Sequence, residues 1–134
     1  MAYDIVLDNA SATVRYEPKA GYVYHTFHSA QTGVPFRHVM NTALDYLIAH
    51  KGSKWLSDDR LNAAFQQEDV VFAVTDWGPR AAANGWKFWA LVVPADLAGR
   101  ASMQDIVETF FNLGVRVSVF SDLDQAREWL VAIQ

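Results

Sequence analysis

Polar and apolar positions alternate through the first third of the chain. In Ala12 to Glu17, Val14 and Tyr16 share one face and Arg15 and Glu17 the other, the period of two that predicts a half-buried strand. Asp4 to Leu7 reads as a short strand before it, with Asp8-Asn9-Ala10-Ser11 as the turn. Pro18-Lys19-Ala20-Gly21 is a second turn, and Tyr22 to His28, rich in aromatic and branched residues, is the next strand. These segments predict an antiparallel meander.

The period then changes. Phe36, Val39, Met40, Ala43, Leu44, Leu47 and Ile48 recur at helical spacing and form a wide apolar stripe. Pro35 suits its first helical position and Gly52 its stop. Lys54 to Ser57 reads as a short strand, with Asp58-Asp59-Arg60 at its C-terminal end. Glu68 to Gly85 fits two descriptions. Val70 to Val74 has strand composition, yet Val70, Val71, Val74, Trp77 and Ala81 keep a helical spacing and Glu68-Asp69 suits a helix N-terminus. The helix is the expectation, broken near Gly78-Pro79 and ended at Asn84-Gly85.

Trp86 to Val93 is an almost continuous apolar run, as a strand covered on both faces would be, and alternation along it sets Trp86, Phe88 and Ala90 against Lys87, Trp89 and Leu91. Ser102 with Asp105 resembles a capping pair, followed by the helical stripe Met103, Ile106, Val107, Phe110 and Phe111, which Gly114 closes. Val115 to Phe120 alternates again. Ser121 would cap a last helix burying Leu123, Ala126, Leu130 and Ile133, flanked by Trp129. The order β-β-β-α-β-α-β-α-β-α predicts an α/β domain with one mixed sheet, right-handed crossovers and helices mainly on one face.

Composition narrows the chemistry. The 134 residues fit one domain, and an apolar share of 51% can fill its core. A net charge of -4 gives no basic footprint for nucleic acid. Cysteine is absent, which excludes disulfides, thiolate metal sites and a Cys nucleophile. The apolar stretch from Phe88 to Pro94 is far short of the roughly 20 residues a membrane helix needs. The N-terminus has neither a basic nor an apolar signal region, so the expected location is cytoplasmic.

No phosphate loop or nucleophile elbow is present. His25 and His28 point to opposite strand faces and cannot share a metal, so neither a metal nor a cofactor is expected. His25 shares its face with Val23 and Phe27. Asp58 and Arg60 lie at a strand end, the edge where open α/β sheets bind ligands. There Arg60 could hold an anion and Asp58 act as a base, although a local ion pair is the favoured reading. Within Asp76-Trp77-Gly78-Pro79-Arg80, Trp77 and Arg80 are either a recognition pair or a core plug with an ion pair. Trp55, Trp86, Trp89 and Trp129 are expected to fill the core, with a homodimer face as another use of the aromatic surplus.

The element order, together with "KWLSDDR", "QEDVVFAVTDWGPRAAANGWKFWALVVP" and "VFSDLDQAREWL", resembles the STAS superfamily and its bacterial stand-alone SpoIIAA-like (STAS/SEC14-like) branch. The resemblance implies a cytoplasmic, non-enzymatic regulatory module acting through a protein partner or a small ligand. The antagonists of this superfamily carry a phosphorylatable Asp-Ser-Ser-Gly switch, and the comparable Gln67-Glu68-Asp69-Val70-Val71 has no hydroxyl to phosphorylate. Glu68 and Asp69 could imitate a phosphorylated state, but acidic residues also simply suit a helix start. The expected binding rim joins Asp58, Arg60, Asp69, Trp77 and Arg80 with His25. The alternatives are a small acid–base enzyme using Asp58 and His25, and a lipid or small apolar ligand binder.

Overall fold

The computed structural model describes residues 2–62, 65–93 and 97–133, with residues 97–102 described as backbone alone. The elements are β1 (Asp4–Asp8), β2 (Ala12–Glu17), β3 (Tyr22–Phe27), α1 (Gly33–Ala49), β4 (Lys54–Asp58), α2 (Gln67–Phe72), a π-helical turn (Ala73–Trp77), α3 (Gly78–Ala83), β5 (Phe88–Val92), α4 (Leu97–Asn112), β6 (Arg116–Phe120) and α5 (Leu123–Ala132). The strands form one six-stranded sheet in chain order, β1 through β6. The first three pair antiparallel, and β3, β4, β5 and β6 run parallel. The chain is therefore α/β with a single mixed sheet.

The ambiguous segment is helical and crosses from β4 to β5. Pro79 does not end it. Gly78 N–H donates to the Ala73 carbonyl, five residues back, so a π turn lies just before the proline. A proline cannot donate and crowds the carbonyl four residues before it. A π turn is one way a helix absorbs such a conflict.

The core has two layers. Val14, Tyr16, Val23, Phe27, Trp55, Trp89 and Leu91 meet the buried stripes of α1, the broken helix and α4. Tyr22, Tyr24, Leu56, Ala90 and Val92 meet Ala126 and Leu130 of α5 on the opposite face. Three successive crossovers step the same way along the sheet, and right-handed connections place all three helices on one side. No strand of the sheet follows α5 among the described residues, so α5 is not a crossover and covers the other side.

Several local expectations need correction. α1 begins at Gly33, which puts Pro35 third rather than first, still within the turn where its missing N–H goes unneeded. At the other end it is Lys51, with φ of 54°, that takes the left-handed position. Gly52 is instead required by contact, because a Cβ there would lie 2.6 Å from Leu47 Cδ1 and 2.9 Å from Tyr16 Oη. α4 starts at Leu97, so Ser102 lies inside the helix rather than at the position before it; its side chain lies outside the described residues. The cap of α5 is Asp122, which accepts from Asp124 N–H at 3.1 Å, not Ser121. Glu17 is buried rather than solvated, and its carboxylate accepts the backbone N–H groups of Lys19 and Ala20 in the β2–β3 turn. Trp86 precedes β5 and escapes its alternation. It packs beside Trp89, with ring centroids 5.7 Å apart.

Candidate functional site

His25 on β3 and Ser57 on β4 are direct partners in the parallel ladder, and both point into the layer beneath the three helices. Alternation turns Asp58 toward α5. The next residue, Asp59, donates its backbone N–H to the Val92 carbonyl at 3.2 Å and returns its carboxylate to the side of His25. His25 is 1% exposed and Asp59 3%, so this pair is sealed from bulk solvent.

The pair belongs to a short chain of hydrogen bonds. Trp55 Nε1 donates to His25 Nδ1 at 2.8 Å, and His25 Nε2 lies 2.8 Å from Asp59 Oδ1. An indole nitrogen can only donate. Nδ1 is therefore the acceptor, the ring proton sits on Nε2, and that proton points at the carboxylate. Beside them Trp89 Nε1 donates to Ser57 Oγ at 2.8 Å. The indoles of Trp77 and Trp86 donate to the carbonyls of Met40 and Phe88, at 3.0 and 3.1 Å. All four indole N–H groups are thus engaged within the protein.

Those four rings form one cluster. Trp55 and Trp77 meet edge to face at 5.1 Å, Trp77 and Trp86 at 5.3 Å, and Phe110 lies 5.2 Å from Trp86. Together with Phe27, Phe36 and Phe72 they line a cavity of about 40 Å³, and His25, Ser57 and Asp59 form its polar end. That end lies at the C-terminal ends of parallel strands, where α/β sheets bind ligands. The volume holds about three water-sized groups.

The residues expected to form one rim are placed at separate points. Asp58 faces α5 and binds Arg60 through two hydrogen bonds, Nε to Oδ1 and Nη2 to Oδ2, each 2.8 Å. Burial alone would raise its carboxyl, but the Arg60 hydrogen bonds and charge outweigh burial and hold it below its ordinary value. Asp58 and His25 share no cleft, and the carboxylate at the histidine is Asp59. Asp69 is buried, and both its oxygens accept Gly33 N–H, at 3.0 and 3.2 Å, so it fastens the start of α1. Arg80 bridges Asn41 Oδ1 at 2.7 Å and Asp76 at 3.4 Å. Trp77 is a core plug that also walls the cavity.

Asp59, Ser57 and the tryptophan cluster were not singled out as a site from the chain. The signal was present. Trp55, Ser57 and Asp59 sit at alternate positions, and the same alternation puts His25 on the face of Val23 and Phe27. Among the described residues no group of three or more His, Asp or Glu side chains could hold a metal ion, and no helix is long and apolar enough to cross a membrane. Compared with family models, with curated proteins and with solved structures, the chain finds no match in any of the three.

Proposed function

We propose that this protein is a STAS-like binding module without catalytic chemistry, whose ligand is a small molecule received in the aromatic cavity. One observation carries the reading: a cavity walled by aromatic rings ends on a histidine whose two nitrogens are both engaged, by Trp55 and by Asp59. A general base needs a free nitrogen within reach of a substrate proton. His25 has none in this arrangement, which favours binding over proton transfer. The acid–base alternative loses its pair as well, since Asp58 and His25 face opposite sides of the sheet. The volume favours a small ligand over a lipid chain.

The element order supports the STAS likeness. Regulation by phosphorylation at the start of α2 finds no support, because that segment has no hydroxyl and the Asp69 carboxylate is already committed to α1. Arg60 and Arg80, whose side chains stay partly exposed, remain the residues through which a protein partner or a second copy would be met, while Asp58 is buried behind Arg60. A fluorescence titration with 1-butanol tests the cavity. Saturable change in the tryptophan emission is expected for the wild type, and loss of it in Ala73→Leu, which fills the cavity from the helix side. No response, or an equal response in the filled variant, would overturn the reading.

A further inference from the structure

Resting on the cavity reading, we infer that the ligand is an organic cation carrying an ammonium head group. The argument starts from charge. Asp59 is 3% exposed, and the His25 imidazole is the one basic side chain within 4 Å of its carboxylate among the described residues. Trp55 fixes that histidine in the neutral form protonated on Nε2, because protonating Nδ1 would set two N–H donors against each other. The carboxylate therefore has a hydrogen bond but no opposing charge. A buried carboxylate in that position is costly unless a cation joins it. The nearby guanidinium of Arg60 does not serve, since both of its hydrogen bonds go to Asp58 on the other side of the sheet.

The walls point the same way. The indole N–H groups of Trp55, Trp77, Trp86 and Trp89 all end on protein acceptors, so these rings offer a ligand π surface and C–H edges but no hydrogen-bond donor. A π face attracts a cation and gives an anion nothing. A carboxylate-bearing ligand would meet the Asp59 charge in a site walled by aromatic rings, without a compensating donor beyond the Ser57 hydroxyl. The cavity volume of about 40 Å³ limits what enters to a head group and a slender stem. Half-buried Phe65, Phe72 and Met40 stand among its lining residues, and the stem would leave past them.

The test compares three probes of one length and different charge: n-butylammonium, 1-butanol and butyrate. Each is titrated at pH 7 against tryptophan fluorescence and checked by calorimetry. Butylammonium is expected to bind about tenfold tighter than 1-butanol, a cation–π and charge-pairing increment of ordinary size, with no binding of butyrate. Asp59→Asn keeps an acceptor for His25 Nε2–H and removes the charge, and it should bring the cation-to-alcohol ratio to about one. Ser57→Ala should leave that ratio intact. If 1-butanol binds as well as butylammonium, or if Asp59→Asn keeps the preference, the inference falls while the cavity reading stands. If none of the three binds, both fall. The wild-type comparison decides the matter even where Asp59→Asn folds poorly.

Discussion

The indole of Trp55 ends on Nδ1 of His25, 2.8 Å away, and this single bond dictates which side of the imidazole carries the proton. The two residues sit on neighbouring parallel strands, with Trp55 opposite Val23 and Ser57 opposite His25. The ladder register therefore sets the hydrogen bond, and the hydrogen bond sets the tautomer seen by Asp59.

Replacing Trp55 with Phe removes that donor and leaves a buried nitrogen without a partner. A loss of about 2–4 kcal/mol is expected, from the unsatisfied group together with the lost ring volume. Urea denaturation measures it. Nitrogen-15 spectra of the imidazole should show the Nε2–H form in the wild type and a mixture in the variant. A wild-type spectrum with the proton on Nδ1 would contradict the bonding described for this site.

Gly78 of the broken helix lies directly against Phe110 of α4. A Cβ there would overlap Phe110 Cε1 and lie 2.8 Å from the Ala73 carbonyl. Gly78→Ala should therefore destabilise by about 1–3 kcal/mol, although alanine is ordinarily the better helix former. Phe110→Leu in the same chain should recover part of the loss. An alanine variant as stable as the parent would mean that the two helices do not pack here.

The Asp58–Arg60 pair gives a pH signature with a definite sign. The folded carboxyl lies below its ordinary value. Its stabilisation is therefore complete above the unfolded value near pH 4 and is lost as pH falls through the lower folded value. Arg60→Gln should lower stability at pH 7 by about 1–3 kcal/mol, the range for hydrogen bonds to a charged group. It should also flatten the acid limb below pH 4. Melting temperatures between pH 2.5 and 7 check both, and an unchanged acid limb in Arg60→Gln would remove the pair from the account.

Much of the architecture can be read from the chain because periodicity and topology agree. The stripe from Phe36 to Leu47 has one interpretation, and the meander followed by strand–helix units admits few sheets. Val70 to Val74 was harder, since branched residues suit either state and the decision rests on the spacing continued by Trp77 and Ala81. The packing role of Gly52 depends on Tyr16, far away in the chain, while the π turn and the cap at Asp122 are choices between adjacent positions that composition alone leaves open. The site was less legible. Two adjacent aspartates at a strand end look alike in sequence, and only the register of β4 against β3 decides that Asp59 meets the histidine while Asp58 meets Arg60. Trp86 stands two residues before β5, where the pleat has not begun, so alternation does not set the side it faces.

The uneven distribution of indoles has an optical consequence. Four tryptophans lie together beneath α1, the broken helix and α4, while Trp129 stands apart on α5 beside Phe120, 6.0 Å between ring centroids. Near-ultraviolet dichroism, which grows when aromatic chromophores are held close in a fixed relative orientation, will come chiefly from the first group. Removing Trp129 would leave a protein whose remaining emission reports on events beneath the crossovers alone, and the difference between parent and variant would report on loosening of the terminal helix.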